Sequence, residues 1–548
     1  MLRRERLFKP ILLIAAIFSF ALCRGVYASE TVEFKKNQTG LYRDVFDQNL
    51  YYEGTQFLHL ERLYRALFGK RLRAKDVNVY DEVPDSAFFV NRHGRERLSA
   101  QELKDGPRET DGPDLSGDLT IVRGKFEGLH PGFFIQDSRG DEYLLKFDPQ
   151  DYFELTTGAE VIASRFYHAL GYHVPQYTNV VFPPEKLVPG PNAKVIDSTG
   201  FKKKLTPDKL EEFILFLPLD SEGRLRASAS KILKGEKKGS FSFQKRRKND
   251  PEDPVDHKDR RSIRALQVFS SWLNNCDVRE SNTLDMLVTE NGKSFLKHYL
   301  IDFNMTLGSA TEGPKIPPMG HEYFLDYGAA AKAFLSLGLW EKPWQRRWRE
   351  AGEKVHDSPA VGYFDNRYFD PSQYKTQLPY FPFKDLSRAD GFWAAKIMTA
   401  FTDEDIKMIV QAGELSRAGD AEYLAKVLTE RRDLIAKHWF RESNPLDQFE
   451  LQGNHLNFKD LAVQYGFEPQ DGSVYEVDVI RKTGKRGRKI KTFTAQNPSI
   501  PLEEAWFAQG EGINLLIRTR RPRSSKPGPY VLVELKAGKG LAGVLHED

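Results

Sequence analysis

Residues 272–308, WLNNCDVRESNTLDMLVTENGKSFLKHYLIDFNMTLG, constrain this chain more than any other stretch. The apolar stripe Ile263, Leu266, Phe269 and Leu273 predicts a helix that runs toward Asp277. Asn282 follows five residues after Asp277 and opens a short apolar strand. Asn291-Gly292 is a strong two-residue hairpin signal. The returning strand ends in Ile301-Asp302-Phe303. Asn282 starts one strand and Asp302 ends the other, so both lie at the same end of the hairpin. Asp285 lies two strand residues further on and is expected to point elsewhere. His298 is expected to be packed rather than catalytic.

Upstream residues supply partners for these acids. Runs at 119–122, 133–135 and 142–147 read as a strand meander whose first turn spans 124–132. Lys146 sits mid-strand between Leu145 and Phe147. A lysine in an apolar strand is costly unless paired. Residues 157–170 predict a helix with Ala159, Ile162, Ala163, Phe166 and Leu170 on its apolar face and Gly171 closing it. Glu160, on that helix, is the natural partner for Lys146. Gly124, Lys125 and Gly128 place backbone N–H groups and an ammonium in the turn, donors suited to phosphate. Further strands are expected at 178–182, 213–217 and 224–233.

Phosphoryl transfer needs a phosphate cradle, cations on the developing charge, and a carboxylate beside the attacking oxygen. Each has a candidate here, in that chain order. Asp277 is the candidate base. Asn282 and Asp302 offer oxygen to Mg2+ or Mn2+. The order glycine turn, strand lysine, helix glutamate, Asp-x4-Asn and Asp-Phe resembles the protein-kinase-like superfamily. The Ile-Asp-Phe ending and the helix glutamate followed by ALGYHVP look most like its atypical branch, the phosphatidylinositol 3-/4-kinases and HipA-type bacterial kinases. The similarity covers about residues 118–440. It implies an α+β, two-lobed kinase-like fold with a β-rich N-lobe and a helical C-lobe. It also implies Lys146 and Glu160 as the ATP-positioning pair, Asp277 as catalytic base, and Asn282 and Asp302 as metal ligands. The chain departs from the family pattern at Asn275-Cys276, where His-Arg is usual, and at Asn304, where glycine is usual.

The 548-residue length predicts several domain-sized units. Residues 1–28 read as a signal peptide: Arg3, Arg4, Arg6 and Lys9 precede a thirteen-residue apolar run at 11–23, then Val26-Tyr27-Ala28. That predicts export to the periplasm or exterior; an uncleaved segment would instead anchor the chain. Residues 29–117 read as an N-terminal extension and linker, 118–235 as the N-lobe, 236–445 as the C-lobe and 446–548 as a β-rich domain. Within the extension, 57–68 has helical spacing, and the acid- and aromatic-rich 81–92 is expected as a surface turn before a short strand. The charged stretch 234–261 is expected as a solvated loop. Thr402-Asp403-Glu404-Asp405 carries a capping-box pattern and 421–440 an amphipathic helix.

The formal charge is +4, and residues 1–28 hold five basic residues against one acidic, so the remainder is near neutral. A globally basic nucleic-acid binder is not supported. Without Cys23, Cys276 stands alone, which leaves no intramolecular disulfide. The expected partners are a nucleotide and an acceptor that is a protein, a lipid head group or a sugar. Basic turns at 485–489 and 518–523 offer a face to an anionic envelope surface. The expected function is an exported phosphotransferase using ATP and Mg2+. The alternative is an envelope pseudokinase or binding protein, without turnover, whose β domain does the interacting.

Overall fold

The computed structural model describes residues 36, 40–52, 72–125, 132–196, 201–351, 356–483, 486–510, 512–522, 524 and 527–548. The chain divides into Met1–Lys36 and Asn37–Asp548, and the architecture below belongs to the second unit. The expected signal segment 1–28, the helical stretch 57–68 and residues 126–131 of the glycine turn, Gly128 included, lie outside the described residues.

The first sheet has six strands: β1 (Leu119–Gly124), β2 (Gly132–Gln136), β3 (Glu142–Phe147), β4 (Tyr177–Phe182), β5 (Leu187–Pro189) and, after the ribbon of β6 (Lys194–Ile196) and β7 (Lys202–Lys204), β8 (Leu225–Lys231). Their order is β4-β8-β3-β2-β1-β5. Neighbours run antiparallel except β1 and β5. Alternation sets the two faces. Leu145 and Phe147 join Phe133, Tyr143, Leu225 and Ala227 in one apolar cluster. Register pairs Lys146 with Gly132 on one side and with Ser228 on the other.

Helix α1 (Leu41–Phe46) and helix α2 (Ala100–Asp105) precede this sheet. Helix α3 (Leu155–Leu170) follows β3. Its first turn is fixed by the buried Asp148 carboxylate, which accepts from the Glu154, Thr156 and Thr157 N–H groups and from the Thr157 hydroxyl. Residues 213–217 do not form the expected strand. They belong to the end of helix α4 (Pro207–Ile214) and the turn beyond it. Thr206 caps the helix by accepting from Lys209 N–H, and proline stands in the first turn, where its missing N–H costs nothing. These start signals outweigh the β-like run FILFL.

The second sheet holds β9 (Glu236–Gly239), β10 (Thr283–Glu290) and β11 (Lys293–Leu300), in order β11-β10-β9. Asn291 and Gly292 both take left-handed φ, 51° and 75°, as a tight two-residue hairpin requires. Helix α5 (Leu266–Leu273) packs Trp272 and Phe269 into the largest core, with Phe166 and Tyr167 of α3. A short ribbon, β12 (Ser309–Ala310) and β13 (Gly313–Pro314), leads to helices α6 (Tyr327–Leu335) and α7 (Pro343–Ala351). Helices α8 (Arg388–Thr399), α9 (Asp403–Gln411) and α10 (Ala418–Glu442) complete the helical part, and α9 carries the expected capping box at Thr402 and Asp405.

The last hundred residues form two sheets: β14 (Leu446–Gln452), β15 (His455–Asp460) and β18 (Ser499–Pro501), and a five-stranded sheet of β16 (Val474–Thr483), β17 (Arg486–Ala495), β19 (Ile513–Arg520), β20 (Tyr530–Lys536) and β21 (Gly540–His546). They enclose their own core around Tyr475, Val477, Leu515, Ile517 and Val533. The molecule is thus mixed α+β. Among the described residues, no helix is long and apolar enough to cross a membrane.

Two expected surface segments are buried in part. Phe88 and Phe89 of the 81–92 stretch lie in the main core, and Asp81 pairs with Arg261. In the 234–261 stretch His257 is buried against Asp253, and Arg247 pairs with Asp285. Charge density suggested solvent, but these buried charges meet opposite charges, several of them far along the chain, and sequence spacing does not show such pairings.

Candidate active site

The strand alternation that sends Leu145 and Phe147 into the apolar cluster sends Lys146 to the opposite side. There its ammonium donates to Glu160 Oε1 at 2.5 Å and to Asp302 Oδ1 at 2.9 Å. Ser228, the register neighbour of Lys146, donates to the other Glu160 oxygen at 2.5 Å. Glu160 is fully enclosed, whereas the Asp302 side chain keeps 23% of its surface exposed. Burial opposes charge on Lys146, but Asp302 and Glu160 outweigh it and hold the ammonium well above the usual lysine range. Burial likewise opposes ionisation of Asp302. Lys146, Lys125 and Arg279 overcome it and hold the carboxyl far below its ordinary value.

Asp302 takes a left-handed backbone, φ 64°. Its N–H donates to Tyr177 Oη at 3.1 Å, and Phe303 stacks on Tyr167 at 5.1 Å. The next left-handed positions are Leu307 and Gly308; Asn304 is not one of them. The chain therefore turns at the acid itself, and Asn304 needs none of glycine's freedom.

Helix α5 stops at Asn274, which is left-handed at φ 50°, so the chain reaches Asp277 through a loop rather than on a helix. Asn275 Oδ1 accepts from Asp277 N–H, and Asn275 Nδ2 donates to Tyr167 Oη. Asn282 donates through Nδ2 to the Asp277 carbonyl at 3.0 Å and to Asp277 Oδ2 at 2.9 Å, and its own carbonyl accepts from Ile301 N–H. Arg279 Nη1 lies 2.7 Å from Asp277 Oδ1. That contact lacks hydrogen-bond alignment, so Oδ1 is a buried acceptor without a donor. Burial, helped by Asp302 and opposed by Arg279 and Asn282, pushes Asp277 up to about 6.

The loop is held from the far side by the N-terminal extension. Asp44 of α1 accepts from Ser281 N–H at 3.1 Å and from Tyr380 Oη at 2.7 Å, and Tyr380 Oη accepts from Glu280 N–H. Burial and the neighbouring Asp44 push Glu280 up to about 8.

Asp277, Arg279, Asn282, Asp302 and Phe303 line one recess. Lys125 lies close enough to feel Asp302, and burial lowers its affinity for the proton. Gly124 faces Val195 of β6, so its lack of a side chain serves strand packing. His298 Nδ1–H donates to Asp285 Oδ1 at 2.6 Å and the ring stacks on Phe88, as a packed histidine. Arg279 and Tyr177 were not singled out from sequence. The alternation of charge in Asp277-Val278-Arg279 is a weak signal, and Tyr177 acts through a contact 125 residues away.

Among the described residues no three His, Cys, Asp or Glu side chains gather as a metal cluster. The local set is two carboxylates and an amide. Asn282 spends its nitrogen on Asp277, which leaves its oxygen as the free end, and Asp302 keeps exposed surface. Such hard oxygen donors, few in number, suit a divalent ion that takes its remaining ligands from phosphate and water.

No family model matches the chain, and no curated protein matches it. Among solved structures it is similar to the Helicobacter pylori proinflammatory kinase CtkA, at 12% identity and a TM-score of 0.31, over 59% of this chain and 96% of that one. It is also similar to the golgi casein kinase, at 10% identity and a TM-score of 0.28, over 62% of this chain and 75% of that one.

Proposed function

We propose that the chain is a kinase-like phosphotransferase that binds ATP with Mg2+ or Mn2+ and phosphorylates a hydroxyl. One observation carries the reading: Lys146, buried in a strand, bridges Glu160 of α3 and Asp302 at the end of the β10–β11 hairpin. Asp302 keeps solvent-exposed surface, and Asp277 Oδ1 beside it accepts no aligned hydrogen bond.

Bound ATP with its metal ion would supply the phosphoryl group and part of the countercharge. Lys146, fixed by Glu160, would hold a phosphate oxygen without swinging away. Lys125 adds a second ammonium near Asp302. Asn282 and Asp302 would hold the metal ion. Asp277 Oδ1 accepts the proton of an attacking hydroxyl; a carboxyl near 6 is ionised at neutral pH and still basic enough to take it. We read residues 1–28 as an export signal, on their sequence alone.

The test is the melting midpoint of the protein with millimolar ATP and Mg2+ or Mn2+. A metal-dependent rise that Asp302→Ala abolishes is expected. The absence of any shift at millimolar nucleotide sinks the proposal.

A further inference from the structure

Beyond the active site, the hairpin of α6 and α7 has a surface that water does not favour. No residue of α6 is buried. At its end Phe334, Leu335, Leu337 and Leu339 are 79, 80, 90 and 89% exposed. Single exposed apolar side chains are ordinary, but four within six residues make a continuous apolar tip. Leu337 adopts a left-handed φ of 52°, a conformation L side chains avoid, directly before Gly338 at 81°. The turn thus holds a leucine at near-full exposure where glycine or asparagine would be easier.

The base of this hairpin is tied down. Glu322 takes Lys342 at 2.6 Å and Trp344 Nε1 at 2.5 Å, and Asp326 takes Lys375 at 2.5 Å. Residues 327–351 carry five basic residues, Lys332, Lys342, Arg346, Arg347 and Arg349, against Glu341 and Glu350, a net charge of +3. Trp340, Trp344 and Trp348 lie among them, with the Lys332 ammonium 5.3 Å from the Trp340 ring. An apolar tip, a basic flank and tryptophans at the boundary are the three features of a surface that sits in a lipid interface.

We propose that this hairpin docks on an anionic lipid bilayer, with Phe334, Leu335, Leu337 and Leu339 entering the apolar layer and Arg346 and Arg349 against the head groups. Charge decides between the occupants. A second copy would bring its own basic flank against this one, whereas acidic head groups complement it. Arg346 and Arg349 pair with Glu350 and Glu341 but keep 72 and 68% of their side chains exposed, so they still face solvent.

The full chain is mixed with vesicles of phosphatidylcholine and phosphatidylglycerol (7:3), or of phosphatidylcholine alone, with brominated acyl chains as quencher. Residues 1–36 contain no tryptophan, so quenching does not report the N-terminal apolar run. Quenching on the anionic vesicles, weakened at high salt and at least tenfold weaker in affinity in a Phe334→Glu/Leu339→Glu variant of unchanged melting midpoint, is the expected result. Trp340→Phe should remove part of the quenching. No quenching in the intact protein, or quenching that the double substitution leaves unchanged, overturns the proposal. So does a dimer in sedimentation that the same substitutions dissociate while vesicles have no effect; the tip would then be covered by a second copy.

Discussion

Arg261 and Lys146 are buried cations that each hold two carboxylates, and they differ in what is left over. Arg261 donates through Nη2 to Asp81 at 3.0 Å and through Nε to Asp390 at 3.0 Å. The remaining oxygens are taken: Asp81 Oδ2 by His546 and Asp390 Oδ2 by Ser387 N–H. All three side chains are enclosed. Lys146 also holds two carboxylates, but one of them reaches solvent and stands beside an acceptor oxygen with no donor. The first cluster is saturated and joins chain segments 180 and 129 residues apart. The second is unsaturated, and its Asp302 reaches solvent. Burial of charge alone marks neither function nor stability; the count of unused acceptors separates them.

The comparison can be broken by substitution. Arg261→Met removes the cation shared by two enclosed carboxylates, leaving Asp390 with Arg264 and Asp81 with His546, and a loss of about 3–5 kcal/mol is expected in urea unfolding; a loss below that of Lys146→Met would invert the ranking. Asp277→Asn should lower phosphoryl transfer about 10²–10⁴-fold while the protein stays folded. Its carboxyl is raised to about 6, so the neutral form is favoured in the fold. That stabilisation is present at acid pH and fades as pH rises through 6. The variant should therefore exceed the parent in stability by about 1–3 kcal/mol at pH 8 and not at pH 4. Turnover of the parent should fall below pH 6 for the same reason, and a profile flat to pH 5 would remove Asp277 from the role of base.

Lys146→Met comes next. Glu160 keeps Ser228 and Asp302 keeps solvent, so about 1–3 kcal/mol is expected, with the nucleotide-dependent rise in melting midpoint lost. Unfolding of this variant would show that Lys146 is structural, like Arg261. Asp302→Ala should move the midpoint least, by about 1 kcal/mol, and still erase the effect of the metal ion on nucleotide binding.

The unsaturated cluster was largely legible in the sequence. Lys146 interrupts an apolar strand, Glu160 interrupts an apolar helix face, and the Asn291-Gly292 turn fixes which hairpin ends meet. These are local patterns of period two and 3.6, and local patterns survive in sequence. The saturated cluster was not legible. Asp81 and Arg261 sit in stretches whose composition reads as surface, and only the folded chain brings them together. The α4 helix was misjudged because a five-residue apolar run carries no period, while the cap at Thr206 did. Arg279 and the Asp44 contact to the 277–282 loop depend on geometry that spacing does not encode.

The contact between Lys146 and Asp302 has one more consequence. The acidic end of the hairpin is already neutralised before any ligand arrives, so the protein need not recruit a metal ion in order to fold. A divalent ion held by Asp302 would meet a carboxylate already paired with an ammonium, not bare negative charge. A metal ion without nucleotide should therefore compete poorly for the site.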